Sequence, residues 1–138
     1  MEASTKQFRK RNAILSCLKG TTSHPSAEMV HTMLQDEHPD ISLATVYRNL
    51  AWFKDQGMII TLGTVKGIER FDANTDPHVH FICTGCGAIL DLPEIQVPHQ
   101  LNLEVEEQSG CSVQSCQLSF TGLCQKCLEK EKESGVTA

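Results

Sequence analysis

The stretch His78-Val-His80-Phe-Ile-Cys83-Thr-Gly-Cys86 brings two imidazoles and two thiols together, and Cys124-Gln-Lys-Cys127 adds a second pair of thiols near the end of the 138-residue chain. Two CxxC pairs supply four thiolates, the tetrahedral sulfur set that structural zinc takes with no position left open for a substrate. Gly85 and Gly87 flank Cys86 and suit a turn whose backbone wraps an ion. The competing reading is buried or disulfide-bonded cysteine. Seven cysteines are an odd number, so complete pairing is impossible, and free thiols fit a reducing compartment. Structural zinc on Cys83, Cys86, Cys124 and Cys127 is therefore the stronger reading.

His78 and His80 flank a single residue, so on a strand both rings emerge on one face and can reach one ion. Two ligands make a poor site. Asp72, Asp91 and His24 are candidates to complete it. Three imidazoles and two carboxylates form a nitrogen and oxygen set suited to iron(II), manganese(II) or exchangeable zinc, unlike the four-sulfur set. Each candidate also has an ordinary reading: His24 before a proline as a cap or surface residue, Asp72 as a turn residue, and Asp91 as a solvated strand end. His31, His38 and His99 lack partners in the pattern and read as surface or helix residues.

The elements that must carry these groups follow from periodicity. A first helix over Phe8–Leu18 places Ala13, Ile14, Cys17 and Leu18 at helical spacing, which makes Cys17 a core residue. A second opens at His24-Pro25-Ser26, with Pro25 in its first turn and Ala27, Val30, Met33 and Leu34 on one face. Ser42 caps a third that runs through Gln56 to Gly57. In it Leu43, Val46, Leu50 and Phe53 form the buried stripe, and Ala44, Thr45, Arg48 and Trp52 lie opposite with Tyr47 at the edge. Met58-Ile-Ile-Thr-Leu and Gly67–Asp72 then form a two-stranded hairpin, giving a helix-turn-helix with a wing and a recognition helix able to read DNA. The turn-rich segment from Ala73 to Pro77 is the expected hinge. Beyond it come short strands over Val79–Ile82 and Ala88–Leu92, an amphipathic helix over Val97–Gln108, a strand on which Cys116, Leu118 and Phe120 alternate, and a tail from Leu128 to Ala138 that starts helical and frays. The expected class is α+β: a winged helix-turn-helix DNA-binding domain over residues 1–74 and a small α/β domain over residues 75–138.

The net charge of −5 argues superficially against a nucleic-acid partner, but its distribution matters more than its sum. Acidic residues concentrate in the second half, leaving the first near neutral with a basic start at Lys6, Arg9, Lys10 and Arg11. No segment approaches the length of a membrane span, and the N-terminal charges precede no apolar run, so the expected setting is soluble and cytoplasmic.

Taken together, these residues resemble the ferric uptake regulator (Fur) family from about Arg11 to Cys127. Ser42-Leu-Ala-Thr-Val-Tyr47-Arg-Asn-Leu50 is similar to its recognition-helix motif, His78-Val-His80-Phe-Ile-Cys83 to its metal motif, and the CxxC pairs to its structural zinc site. The resemblance implies a homodimeric, metal-activated repressor of palindromic double-stranded operator DNA, with the second lobe serving dimerisation. Aspartate at position 72 resembles the peroxide-responsive branch. His24, Asp72, His78, His80 and Asp91 fall at that branch's regulatory iron or manganese positions, with peroxide and iron adding oxygen to His24 or His78. Pro77 and Val79 stand where iron regulators commonly carry further ligands. Tyr47 and Arg48 are implied base or phosphate contacts, with Thr45 and Arg11 positioning the backbone. Phe8-Arg9-Lys10-Arg11 departs from the usual Thr-Pro-Gln-Arg of the first helix, and Cys116 stands where many relatives carry a histidine ligand. The alternatives are an iron, manganese or zinc homeostasis regulator of the same family, a non-haem iron enzyme built on two histidines and a carboxylate, and a structural zinc adaptor. No enzyme activity is expected.

Overall fold

The computed structural model describes residues 2–76 and 78–133 and divides the chain into two compact units, Met1–Thr75 and Asp76–Ala138. Pro77 and residues 134–138, the last part of the Leu128–Ala138 tail whose end is expected to fray, lie outside the described residues.

The first unit comprises α1 (Glu2–Lys19), α2 (Ala27–Leu34), α3 (Leu43–Asp55), β1 (Ile60–Val65) and β2 (Ile68–Asp72). Each of the two shorter helices starts on a serine cap. The Ser26 hydroxyl accepts the Met29 N–H at 3.2 Å, and the Ser42 hydroxyl accepts the Thr45 N–H at 3.1 Å, satisfying donors that the first turn leaves without helical partners. Pro25 consequently stands ahead of the cap rather than in the first helical turn, a correction to the expected start of α2. Ile14 and Leu18 of α1, Val30 and Leu34 of α2, and Val46, Leu50 and Phe53 of α3 close on one another with Ile41, Ile59 and Phe71, while Cys17 packs half-buried at the edge. Leu43, expected in the stripe, is only half-buried, because it sits in the first turn at the rim.

The hairpin differs from the expected one. Its first strand is Ile60–Val65, two residues later than anticipated, because the chain continues past Leu62 through an irregularity between Thr61 and Thr64 and turns at Lys66-Gly67. Both turn residues have positive φ, 53° and 81°, the geometry of a two-residue turn whose twist matches the strands it joins.

The second unit holds β3 (Val79–Cys83), β4 (Ile89–Leu92), α4 (His99–Ser109), β5 (Leu118–Gly122) and α5 (Gln125–Glu133). β3 is central, antiparallel to β4 and parallel to β5. Val79, Cys83 and Ile89 are its buried hydrophobic residues among those described, a core too small to rely on for stability without a staple. The expected amphipathic helix is helical but buries none of its residues. Leu101, Leu103 and Val105 are all exposed, although Leu101 and Val105 share one helical face.

Phe53 is fully buried in the first unit. Phe53→Ala is expected to lower stability by about 3–5 kcal/mol, and Ile68→Ala at the exposed hairpin tip by no more than about 0.5 kcal/mol, both read by denaturant unfolding of the full chain.

Candidate metal centres and nucleic-acid interface

The four cysteines of the CxxC pairs converge. Cys83 ends β3, the chain turns through Thr84-Gly85-Cys86-Gly87, and Cys124 and Cys127 lie at the start of α5. The turn is tied at both ends: the Cys83 N–H donates to the Ala88 carbonyl at 2.8 Å and the Gly87 N–H to the Cys83 carbonyl at 2.9 Å. A Cβ on residue 85 would stand 3.0 Å from the Cys127 sulfur and 3.2 Å from Leu123, so glycine there lets the second pair approach. All four sulfurs lie within 4.8 Å of one another, with Cys83 3.6 Å from Cys127 and Cys86 3.8 Å from Cys124. Sulfurs at the corners of a tetrahedron about 2.3 Å from zinc sit about 3.8 Å apart, whereas a disulfide needs about 2.05 Å. The spacing therefore fits the ion and excludes the bridge. Backbone N–H groups of Cys86 and Cys124 donate to the Cys83 sulfur and push that thiol down to about 6, favouring the thiolate a metal needs.

The nitrogen and oxygen donors form a group within each unit. In the second, the register of β3 and β4 sets His80 opposite Asp91. The Asp91 Oδ1 lies 3.2 Å from the His80 Nε2 and 3.4 Å from the His78 Nε2. His78 Nδ1 donates to the Asp76 carbonyl at 2.7 Å; because a carbonyl only accepts, the proton of the neutral ring sits on Nδ1 and Nε2 presents a lone pair. Two donors about 2.1 Å from one ion lie about 3.0 Å apart at a right angle and about 3.4 Å apart at a tetrahedral angle. The observed separations match that range.

In the first unit, His24 Nε2 lies 3.3 Å from Asp72 Oδ2, and the other Asp72 oxygen accepts the Asn74 N–H at 2.9 Å. His24 and His80 are each 3% exposed, which rules out the surface reading of His24. Asp72 does form a turn, yet still directs one oxygen at the imidazole. The donor set suits iron(II) or manganese(II) as the four-sulfur set suits zinc.

On α3, Ala44, Tyr47 and Arg48 face solvent and Thr45 is half-buried. The Tyr47 hydroxyl donates to Glu28, and Arg48 donates to the Thr45 hydroxyl at 3.1 Å. Arg11 is engaged inside the unit: its Nε donates to Asn49 at 3.1 Å and its guanidinium lies 4.0 Å above the Trp52 ring. It thus braces α1 against α3 beside a cleft of about 410 Å³ that Lys10 and Arg48 also line. Sequence reasoning missed Glu28, Asn49 and Arg70, whose partners are set by tertiary approach without a local spacing signal. Cys17 is half-buried, and burial pushes its thiol up; Cys111 is exposed, Cys116 half-buried, and neither joins the four-sulfur group. Among the described residues no helix is long and apolar enough to cross a membrane.

Residues 2–121 match the model of the ferric uptake regulator family. The peroxide operon regulator of Bacillus subtilis is 36% identical over 124 residues, covering 88% of this chain and 83% of that protein. The peroxide-responsive repressor PerR of Staphylococcus aureus is 33% identical over 129 residues, covering 94% and 86%. Among solved structures, the Campylobacter jejuni peroxide stress regulator superposes with a TM-score of 0.78 at 27% identity, covering 91% of this chain and 94% of that one.

Cys124→Ser is expected to abolish stoichiometric zinc and to raise hydrogen exchange across residues 78–133 while leaving residues 2–75 protected. Cys111→Ser is expected to keep the zinc. Elemental analysis alongside exchange mass spectrometry checks both.

Proposed function

Because the chain belongs to the ferric uptake regulator family, we propose that it is a metal-dependent repressor that releases DNA when peroxide oxidises one of its histidine ligands. The family consists of transcription regulators, which sets aside the non-haem enzyme reading; the four-sulfur group alone would have left an adaptor possible, but an adaptor has no use for two further donor groups. The observation that carries the proposal is the pair of half-sites: His24 with Asp72 in one unit, and His78, His80 and Asp91 in the other. Neither has enough donors to satisfy an ion of high coordination number, whereas together they supply three imidazoles and two carboxylates.

In this reading zinc is held by Cys83, Cys86, Cys124 and Cys127, and one iron(II) or manganese(II) draws on both half-sites. Residues 1–74 are the DNA-binding domain and residues 75–138 the dimerisation and metal-binding domain. Shifting a lobe arrangement from 1:99 to 99:1 requires about 5.5 kcal/mol of preference, which ligands contributed by both units can provide. Exposed Leu90, Leu101, Val105 and Phe120 support a homodimer, since a soluble chain seldom leaves so many large apolar side chains uncovered on one small unit. A two-fold dimer matches a palindromic operator. Tyr47 and Arg48 contact bases or phosphate, Thr45 supports Arg48, and Arg11 acts through Trp52 and Asn49 by fixing α3. The setting is the cytoplasm, where thiols stay reduced.

Iron(II), when bound, would activate peroxide, so that one peroxide oxygen enters an imidazole ring and the other leaves as water, the two electrons that reduce peroxide coming from the ring. The chain's part is to hold His24 buried and to keep the His78 proton on Nδ1, so that the Nε2 lone pair would serve as a ligand and either ring, on gaining one oxygen, would lose its capacity to bind. Aspartate at 72 favours this reading over the metal-homeostasis alternative.

The test loads zinc-retaining protein anaerobically with iron(II) or manganese(II), adds dilute peroxide and measures peptide masses together with operator binding. One added oxygen on the His24 peptide or the His78/His80 peptide, with loss of operator binding, is expected with iron alone. Unmodified peptides and persistent DNA binding with both metals would move the chain to the homeostasis class. Asp91→Ala and His24→Ala are each expected to abolish metal-dependent operator binding.

A further inference from the structure

We propose that Arg70 is the positioning residue of the regulatory site, fixing His24 through the backbone on either side of it; this rests on the reading of His24 and Asp72 as metal ligands. His24 lies between α1 and α2 with φ of 52°, a left-handed conformation that a non-glycine residue seldom occupies and that persists only where its surroundings enforce it. Those surroundings come from β2. Arg70 Nε donates to the His24 carbonyl, a terminal nitrogen of the same guanidinium donates to the Ser23 carbonyl at 2.7 Å, and the Phe71 N–H donates to the Pro25 carbonyl at 3.0 Å. Three consecutive carbonyls are thus held by two consecutive residues of one strand.

Asp72 is the next residue but one after Arg70, so strand alternation sends both side chains to the same face. The strand that supplies the carboxylate therefore also locates the peptide carrying the imidazole, although Ser23-His24 and Asp72 are far apart in sequence. A guanidinium does this better than an ammonium, because its planar fork fixes the orientation of two successive peptides as well as their distance. The His24 ring is 3% exposed and its Nε2 stands 3.3 Å from Asp72. A ring packed that closely cannot turn to make good a displaced backbone, so loosening residues 23–25 would move the donor atom itself.

The test uses the full-length, zinc-retaining protein as wild type, Arg70→Ala, Arg70→Lys and Asp91→Ala. Anaerobic manganese(II) titration is followed by the paramagnetic resonance signal of the free ion, cobalt(II) visible spectra are recorded at saturation, and thermal unfolding is measured in parallel. Arg70→Ala is expected to weaken manganese(II) about tenfold to a hundredfold, to alter the cobalt(II) ligand-field bands and to retain zinc. Arg70→Lys, able to reach one carbonyl but not to span two, is expected to recover part of the affinity. If both variants lower the unfolding temperature yet bind manganese(II) with wild-type affinity and give the wild-type cobalt(II) spectrum, Arg70 is a structural residue only and the proposal is overturned. Should Arg70→Ala not fold, Arg70→Lys carries the same comparison. Asp91→Ala separates the two levels: unchanged manganese(II) affinity in that variant would overturn the reading of the site itself, whereas weakened binding there with wild-type binding in both Arg70 variants would overturn the positioning role alone.

Discussion

Lone pairs forced to face one another are the constraint on which the regulatory half of this chain depends. The Asp76 carbonyl takes the Nδ1 proton of His78, so the Nε2 that remains points an unshared pair toward Asp91 3.4 Å away, with the His80 Nε2 at 3.2 Å from the same oxygen. Without a cation between them the His78 lone pair and the carboxylate oxygen repel. A divalent ion turns that repulsion into coordination and can draw on the His80 nitrogen as well, and for this reason a donor set held this close reads as a metal site rather than as a chance cluster.

The same logic divides labour between the two kinds of site. Four sulfurs spaced for a tetrahedron suit an ion that needs no further partner, and such an ion would staple a unit whose own buried hydrophobic core is three side chains among the described residues. The nitrogen and oxygen donors are split into a pair and a trio, each anchored to its own sheet. Under the proposed function, a metal that needs both has an energetic interest in how the two units are arranged, and oxidation of one ligand withdraws that interest without touching the four-sulfur group. Sensing in that reading is a loss of coordination.

What could be read from the sequence was whatever is written in local spacing. Cys83 with Cys86, Cys124 with Cys127 and His78 with His80 each sit two or three residues apart, and such intervals carry their geometry with them. The stripe of Val46, Leu50 and Phe53 did the same for α3. His24, Asp72 and Asp91 could only be nominated, because nothing local links a proline-preceding histidine to a strand end, and the family resemblance supplied the link. The misplaced first strand and Pro25 trace to single-residue decisions, a bulge near Gly63 and a serine cap, that propensity does not resolve. Arg70 could not be found at all. Its partners are backbone carbonyls, which every residue possesses, so no residue type announces them.

The central claim is that one ion takes ligands from both units. It is tested most directly by counting the imidazole nitrogens bound to manganese(II) in the full-length protein labelled with ¹⁵N-histidine, by electron–nuclear double resonance, in wild type and in His24→Ala. Three coordinated imidazoles falling to two in the variant is the predicted result. Two in both proteins would contradict the account, because the ion would then rest on His78 and His80 alone and could not report on the unit that carries the recognition helix.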